Sequence, residues 1–481
     1  MKLASNSAVY GIAGILNRFT SVILLPFFTQ ALTTSDYGIL SLISLLTVAA
    51  IGVFNLGTAN SIGLLYFSNT ELRYRSQVIW TGVILLSLNC LIFLSLLWYL
   101  SPLLSKTILG TDNQAYFIQL ALLGMCCSVI VDPLLAYLRM NNKTIDYVLL
   151  ALLSFFITSG LSVWFVLFLE NGVIGILQAQ FCGQFFLLIL ALIYVGKGLK
   201  FNIDYRLIWP LVSVGLPSVI GSFATLLLVY CDRWLIDRFL GLEYLGIYSV
   251  GLSFGMFIVV LVGAFDTAWP SFFSSYVNRR EEAKRLFPLV LTYFVIGFGI
   301  ITISIFTAAK PMVTFLTAEP FHEAWIVVGL VAFSQVIYGI FSILGTGIYF
   351  SRKLGNISLL KWLAAAINII LNLLLIPLLG IVGAAISMFM GYLSLATMTF
   401  FMSRHELELN YDWKRISKYC FFLVVIVAIQ WASALLLALI TSTIVNLFLL
   451  LLFMVFVWNW ILTSDERHFI SSFAFLLRFR N

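Results

Sequence analysis

The sequence predicts an all-α integral membrane protein with about 14 transmembrane helices, and its composition and segment lengths both indicate this class. Of its 481 residues, 62% are hydrophobic and 10% are charged, whereas soluble domains carry about 25% charged residues. Apolar stretches long enough to cross a bilayer as helices follow one another along the chain, separated by short polar breaks. No predicted outward loop is long enough to form a separate domain.

Each predicted span is an apolar run of about 20 residues or more. Residues 357–402 form one long run, which we divide at Pro377 and Gly380 because a run of that length crosses twice. The spans cover residues 8–32, 38–66, 77–100, 114–138, 147–169, 172–195, 207–236, 244–273, 286–309, 324–350, 357–379, 380–402, 420–440 and 444–463.

The first run, 8–32, is too long for a signal peptide and is predicted to remain as a membrane span. It carries Asn17 and Arg18 near its middle. An arginine within a span costs at least about 2.5–3.5 kcal/mol on insertion scales, so its side chain should face a polar interior. Arg18 is therefore the first candidate for a functional residue.

Lys and Arg are concentrated in alternate connections between the spans, which predicts that both termini are cytoplasmic and that the span count is even. The opposite connections carry only Lys106, Arg238 and Lys310. This asymmetry accounts for the net charge of +7 without any nucleic-acid partner. The cysteines lie mostly in apolar runs and the three histidines are far apart, so no disulfide or metal site is predicted.

Glycines recur at an offset of 208 residues and indicate an internal repeat. Gly38 matches Gly246, and three further pairs follow the same offset: Gly172 with Gly380, Gly175 with Gly383, and Gly183 with Gly391. The offset covers six spans, so the two copies share one orientation and form a parallel pseudo-repeat. The predicted units are lobes 1–200 and 201–402, a linker 403–419, two further spans within 420–463, and an amphipathic cytoplasmic tail 464–481.

Three positive and three negative residues fall inside the predicted spans: Arg18, Asp132, Asp232, Arg233, Asp266 and Lys361. Intramembrane charges face the protein interior and mark substrate or ion pathways. Structural alternatives remain open. Lys361 could extend its long side chain to the membrane surface. Asp232 and Arg233 could lie at the outer mouth, and Asp132, just before Pro133, could stabilise a broken helix.

Two or three cations in a membrane cavity suit a phosphate or pyrophosphate group, because the planar fork of arginine binds phosphate oxygens bidentately. The candidate pyrophosphate ligands are Arg18, Lys361 and Arg233. A carboxylate beside them could carry a proton or a sodium ion, because burial favours its neutral form. The candidate ion-coupling carboxylates are Asp132, Asp266 and Asp232.

Scattered amides could line the same cavity and contact the rest of a substrate. The candidates are Asn17, Asn55, Asn60, Gln335, Asn368 and Asn372. The sequence contains no Ser–His–Asp set, HExxH motif or GxxxxGK[ST] loop, so the groups needed for hydrolytic catalysis or ATP hydrolysis are missing. We therefore predict that the protein is not an enzyme and needs no metal or cofactor.

The opening stretch, NSAVYGIAGILNRFTSVILLPFFTQALTTSDYGILSL, resembles the polysaccharide-repeat flippases of the Wzx type, which serve O-antigen and capsule synthesis. They belong to the multidrug/oligosaccharidyl-lipid/polysaccharide exporter superfamily. The stretch YCDRWLIDRFLGLEYLGIYSV, at 230–250, is similar to the start of that family's second bundle. The resemblance implies two six-helix lobes around a cationic cavity, and a functional arginine at the position of Arg18.

The resemblance also implies a function. Such proteins move an undecaprenyl-pyrophosphate-linked oligosaccharide across the bacterial inner membrane, for O-antigen, lipopolysaccharide or another surface polysaccharide. The membrane potential, with a possible proton or sodium gradient, would supply the energy, and a polysaccharide polymerase and a chain-length regulator would be partners. The alternatives are a drug/cation antiporter of the same fold, a peptidoglycan-precursor flippase and a membrane polymerase or ligase. The last of these usually needs a large outer loop.

Overall fold

The computed structural model describes residues 24–351, 354–404 and 406–468, and these residues form helices joined by short connections, without strands. The first predicted span, 8–32, is therefore described only from residue 24. Asn17 and Arg18 lie outside the described residues, as does most of the predicted amphipathic tail.

Fifteen of the α-helices in the described part of the chain have eleven or more residues, and we number these in chain order. They are α1 (Thr34–Phe54), α2 (Thr58–Ser68), α3 (Leu72–Tyr99), α4 (Ala115–Met140), α5 (Thr144–Val163), α6 (Gly172–Gly198), α7 (Ile208–Leu240), α8 (Leu242–Gly255), α9 (Val259–Ser274), α10 (Arg280–Leu316), α11 (Trp325–Leu344), α12 (Leu354–Leu379), α13 (Ile381–Ser403), α14 (Trp413–Leu436) and α15 (Leu439–Phe456). We call α1–α6 the first half and α7–α13 the second half.

Thirteen helical segments among the described residues are long and apolar enough to cross a membrane. They correspond in order to the second to the fourteenth predicted spans, with α1 and α2 forming one segment and α8 and α9 another. The division of 357–402 is confirmed, since α12 ends at Leu379 and Gly380 adopts a φ of 61° before α13 begins. The predicted all-α membrane fold is therefore correct.

Three local features differ from the sequence prediction. Span 38–66 is interrupted after Phe54, where Leu56 and Gly57 adopt left-handed φ angles of 50° and 68°. Helix α4 runs unbroken through Pro133, so Asp132 does not mark a helix break. Helix α14 begins at Trp413, inside the predicted linker 403–419, because the Asp412 side chain accepts a hydrogen bond from the Arg415 backbone N–H at 3.1 Å.

The close crossing of α1 and α8 joins the two halves, and it is built from the first pair of repeat glycines. A Cβ on Gly38 would overlap the carbonyl oxygen of Leu242, and a Cβ on Gly246 would overlap that of Thr34. Thr34 begins α1 and Leu242 begins α8, at the same offset as the glycines. The contact is thus reciprocal, as expected for two related helices that cross at a pseudo-twofold axis.

The other repeat glycines also share structural roles in pairs, which supports the internal repeat. Gly172 and Gly380 adopt similar left-handed φ angles of 55° and 61° at the starts of α6 and α13. One turn later, Gly175 and Gly383 each lie directly against the segment that precedes their helix. Side chains could not enter these positions without moving the backbone, which explains why glycine recurs there.

A second close contact between the halves lies where α2 begins. A Cβ on Gly57 would overlap the carbonyl oxygen of Gly215 in α7, and a Cβ on Gly215 would overlap that of Leu56. The α1–α8 crossing and this α2–α7 contact therefore join the halves at two separate places. Two of the cavities described below take their walls from both halves.

Helices α14 and α15 pack on α10 and on each other, outside the two halves. An ion pair ties their ends together: the Arg415 guanidinium donates from Nη1 to Oε1 of Glu466 at 3.0 Å and from Nη2 to Oε2. The hydroxyl of Tyr293, on α10, donates to the same carboxylate at 2.7 Å. One carboxylate therefore joins three helical segments.

We expect this carboxylate to make stability depend on acid pH. Its partly buried position raises the pKa of Glu466, but hydrogen bonds from Arg415 and Tyr293 outweigh that effect and lower the pKa from 4.5 to about 2. The stabilisation is therefore complete above about pH 4.5 and is lost as the pH falls towards 2. The unfolding temperature of Glu466→Gln should lie below that of the wild type at neutral pH. The difference between the two unfolding temperatures should disappear as the pH falls from about 4.5 to about 2.

Glu281→Gln is the matched control, because the Glu281 side chain is 86% exposed in its pair with Lys284. Its unfolding temperature should follow that of the wild type throughout. A gap for Glu466→Gln that stayed constant down to about pH 2 would contradict the assigned pKa.

Candidate functional site

An arginine lies on the wall of a cavity between the two halves. This arginine cavity has a volume of about 420 Å³ and takes its walls from α1, α7, α8 and the turn that follows α8. The lining residues are Tyr37, Leu40, Ser41, Ser44, Tyr230, Arg233, Ser249, Leu252, Ser253, Met256 and Phe257. Both halves therefore contribute to one cavity that contains a permanent positive charge.

Arg233 is held by contacts on several sides. Its guanidinium stacks on the ring of Tyr230 at 4.1 Å, and its Nη1 donates to the carbonyl oxygen of Val229 at 3.0 Å. The side chain is 11% exposed, and Nη1 lies 3.8 Å from Oδ1 of Asp232. Because a guanidinium carries five N–H donors, further donors remain for a ligand in the cavity.

Asp232 lies behind Arg233 and is almost completely buried, at 3% exposure. The hydroxyl of Tyr248 donates to its Oδ2 at 2.5 Å, and the backbone N–H of Arg233 donates to its Oδ1 at 2.8 Å. Its carboxylate thus has hydrogen bonds to both oxygens and a cation nearby, as a buried charge requires. The structure brings together two predicted site residues, Asp232 and Arg233, as a buried ion pair.

A second cavity between the halves lies beside the first, and Tyr230 lines both. This asparagine cavity has a volume of about 390 Å³ between α1, α2 and α7, and its walls include Asn55 and Asn60. Lys361 reaches its edge, since Nζ donates to Oγ1 of Thr225, another wall residue, at 3.3 Å. Lys361 thus contacts a wall residue of this cavity but is not a wall residue itself.

A third cavity lies within the first half, and we call it the side chamber. It has a volume of about 660 Å³ between α1, α4, α5 and α6, and Ile51 and Asn55 line both this chamber and the asparagine cavity. Asp132 lies on its wall, with Oδ1 3.6 Å from Nη2 of Arg139 and Oδ2 3.5 Å from Nδ2 of Asn55. Asp132 therefore lines a different cavity from Arg233, although Asn55 links the side chamber to the space between the halves.

The remaining predicted site residues lie elsewhere. Asn368 and Asn372 are buried inside the second half, where Asn372 Nδ2 donates to Asn368 Oδ1 at 3.0 Å and Asn368 Nδ2 donates to the Ser387 carbonyl at 2.9 Å. They are not among the wall residues of the three cavities. Asp266, on α9, is likewise not a wall residue. Asn17 and Arg18 are not described.

Several cavity residues were missed from the sequence, chiefly the tyrosines and serines around Arg233. Tyr230, on the cavity wall, and the buried Tyr248, which donates to Asp232, were overlooked because aromatic residues are frequent throughout the chain. One signal was available: Ser41 and Ser249 are separated by the repeat offset of 208 and both line the arginine cavity. A comparison of the two repeats could therefore have found the cavity wall.

Known structures share this fold at low sequence identity. The lipid II flippase MurJ, in an inward closed conformation, is 12% identical with a TM-score of 0.74, covering 94% of this chain and 99% of its own. An inward-facing multidrug resistance MATE family transporter of the MOP superfamily is 13% identical, with a TM-score of 0.64 and coverages of 82% and 98%. The Vibrio cholerae MATE transporter VcmN, in the bent form, is 14% identical, with a TM-score of 0.52 and coverages of 84% and 98%.

The chain thus shares the helical fold of these membrane proteins. The chain belongs to the polysaccharide biosynthesis protein family, whose model matches residues 3–277. This match confirms the family resemblance noted in the sequence. No curated protein sequence matches the chain.

Proposed function

We propose that the protein is a flippase that moves an undecaprenyl-pyrophosphate-linked oligosaccharide from the cytoplasmic to the outer leaflet of the bacterial plasma membrane. The product would serve O-antigen or another surface polysaccharide, and both termini would be cytoplasmic. One observation carries the proposal: Arg233 lies on the wall of a cavity to which both halves contribute. Membership of the polysaccharide biosynthesis family supports the substrate class.

The arginine cavity suits a pyrophosphate group. Arg233 offers a planar fork that matches phosphate oxygens and does not lose its charge. Four serine hydroxyls share the cavity, from Ser41, Ser44, Ser249 and Ser253. Several of them donate to helix carbonyls in this structure, such as Ser44 to Ser41 at 2.7 Å, but hydroxyls can rotate towards a ligand. Lys361 and Arg18 would complete the set of cations.

Alternating access would expose this cavity to each side of the membrane in turn. The two halves meet at the Gly38/Gly246 crossing and at the Gly57/Gly215 contact, with the cavities between them. Opening one contact while the other stays closed would give access from one side only. The backbone-to-backbone form of these contacts favours two discrete states, because packed interfaces are not continuously deformable.

The membrane potential could drive the export. Moving two negative charges outward across an inside-negative membrane is favourable by about 4.6 kcal/mol per 100 mV. A proton or sodium ion carried by Asp132, Asp232 or Asp266 is a second source of energy. No enzymatic step or cofactor is needed for this cycle, and a polymerase and a chain-length regulator would act on the product.

A drug/cation antiporter is the second candidate, because the MATE transporters share the fold and because Asp132 provides a carboxylate in the side chamber. A peptidoglycan-precursor flippase is the third, since the lipid II flippase MurJ also shares it. The permanent cation in the arginine cavity argues against an organic cation as the occupant of that cavity, since like charges repel.

Arg233→Ala should prevent export in a host strain that carries the variant as its only copy. We expect completed lipid-linked repeats to accumulate on the cytoplasmic leaflet and surface polymer to fall by about tenfold or more, as expected when a charged hydrogen bond to the substrate is lost. Leaflet-specific labelling of the sugar would measure this. Arg233→Lys should retain part of the activity, because it keeps the charge and loses the fork.

Arg279→Ala is the control, because Arg279 is 66% exposed in its pair with Glu282. It should export normally, and all variants should be compared at equal protein levels in the membrane. Normal surface polymer in Arg233→Ala would refute the assignment of Arg233. Repeats that reach the outer leaflet but remain unpolymerised in the deletion strain would point to a polymerase instead.

A further inference from the structure

We infer that the side chamber binds a neutral or amino sugar of the oligosaccharide and thereby selects the substrate. This inference rests on the proposed function and adds to it a second subsite, separate from the arginine cavity. Its wall takes residues from α1, α4, α5 and α6. It is the most spacious of the three cavities near the interface, at about 660 Å³, which lies within the usual range of ligand pockets.

The position of the chamber suits the part of the substrate that follows the pyrophosphate. Ile51 and Asn55 lie on its wall and also on the wall of the asparagine cavity, so the two spaces are adjacent. Tyr230 in turn lines both the asparagine cavity and the arginine cavity. A ligand whose pyrophosphate contacts Arg233 could therefore extend past Tyr230 and Asn55 towards the chamber.

The polar groups of the chamber match the hydroxyl and amide groups of a sugar. A carboxylate accepts hydrogen bonds, amides both donate and accept, and hydroxyls do either. Asp132, Asn55, Gln184 and Ser159 provide all three types. Within the described residues, neither the Gln184 amide nor the Ser159 hydroxyl has a hydrogen bond to another side chain or to the backbone. Both are thus available to a ligand.

Aromatic rings add the flat faces on which sugar C–H groups can pack. Tyr147 and Phe155 line the chamber, and the Arg139 guanidinium lies over the Tyr147 ring at 5.7 Å. Arg139 Nη2 lies 3.6 Å from Asp132 Oδ1, but Arg139 is not a wall residue of the chamber. Because the carboxylate faces the chamber, an acidic sugar would meet a like charge there, whereas a neutral or amino sugar would not.

Binding measurements on the purified protein in nanodiscs can test this subsite. The two probes are a polyprenyl pyrophosphate without sugar and the lipid-linked oligosaccharides extracted from the host membrane. Gln184→Leu should weaken binding of the oligosaccharide by about tenfold, since it removes hydrogen bonds at nearly constant size. It should leave binding of the sugar-free probe unchanged. Ser159→Ala should act in the same direction, less strongly.

Ser95→Ala is the matched control, because Ser95 lies exposed on α3 and bonds only its own helix, at Leu91, within the described residues. It should bind both probes as the wild type does. Equal affinity of Gln184→Leu and wild type for the oligosaccharide would overturn the inference. Loss of tetraphenylphosphonium binding in Gln184→Leu, with unchanged oligosaccharide binding, would also overturn it and make the chamber a cation site.

The same measurements separate this inference from the proposed function. If the proposed function fails, wild-type protein binds neither probe, or Arg233→Ala binds both of them normally. If only the chamber assignment fails, Arg233→Ala loses both probes while Gln184→Leu loses neither. Selective loss of the oligosaccharide in Gln184→Leu, together with loss of both probes in Arg233→Ala, supports both conclusions.

Discussion

Gly246→Leu is expected to force α1 and α8 apart and to destabilise the protein strongly. Even the first atom of a side chain at this position would overlap the carbonyl oxygen of Thr34. Inserting methylenes into a packed interior costs about 1–3 kcal/mol when side chains can adjust. Here the obstacle is backbone, which adjusts less, so the loss should lie at or above the top of that range.

Gly246→Ala gives the sharper test, because alanine is intrinsically the better helix former by about 0.5–1 kcal/mol. A fall in the unfolding temperature would therefore report the contact with Thr34 alone. Gly38→Ala should behave in the same way, since its Cβ would overlap the carbonyl oxygen of Leu242. Unfolding temperatures of the purified proteins in one detergent would measure both effects.

Gly263→Ala is the control for this pair. Gly263 lies within α9, and a Cβ there would have no atom within 4 Å. Its unfolding temperature should stay the same or rise. If Gly246→Ala were as stable as Gly263→Ala, the close crossing of α1 and α8 would be wrong, and with it the proposal that this crossing closes one side of the cavities.

Asp232→Ala should be the most destabilising substitution of a charged residue among those discussed here. It leaves Arg233, which is 11% exposed, without its carboxylate, and removing one partner of a buried ion pair costs about 3–5 kcal/mol. The Tyr248 hydroxyl, which donates to Asp232, also loses its acceptor. The free energy of unfolding, measured by SDS titration in mixed micelles, should fall accordingly.

Glu282→Ala is the matched control, because Glu282 and Arg279 show the same N–O separation of 3.8 Å as Asp232 and Arg233. The control pair is 66% and 59% exposed, and exposed pairs contribute about 0–1 kcal/mol. Since the N–O distance is equal, any excess for Asp232→Ala measures the burial of the pair together with the loss of the hydrogen bonds from Tyr248 and the Arg233 backbone N–H.

Removing all three polar partners should restore much of the lost stability. The triple substitution Asp232→Ala, Arg233→Leu and Tyr248→Phe leaves neither a charge nor a hydroxyl unpaired at this site, and apolar replacement of a whole buried pair is often nearly neutral. It should nevertheless remain inactive in export, because the proposed pyrophosphate ligand is gone. A triple variant less stable than Asp232→Ala would contradict the assigned pairing.

The positions of the helices were predictable because hydropathy is a local property. A span needs only enough consecutive apolar residues to match the bilayer thickness, and the thirteen described spans follow the predicted order. The break at Leu56 and Gly57 was missed because it contains no proline, and a left-handed turn of two residues interrupts the backbone without interrupting the apolar composition.

The candidate site was predictable only as a set of residue types. An intramembrane charge is costly wherever it falls, so Asp132, Asp232, Arg233 and Lys361 could be selected from sequence. The partners of these residues could not. Lys361 contacts Thr225 across 136 residues of chain, and Asp132 contacts Asn55 across 77. Such pairs depend on which helix faces pack together.

The sequence by itself indicated the class of protein, the thirteen described helical segments, the candidate intramembrane charges and a repeat of 208 residues. All four follow from local composition or from comparing the chain with itself. Only the tertiary structure decided that Gly38 and Gly246 support one reciprocal crossing. It also decided that Arg233 lies between the halves while Asp132 lies in a separate chamber. Helix packing fixes these relations, because it brings together side chains that the sequence places on different helices.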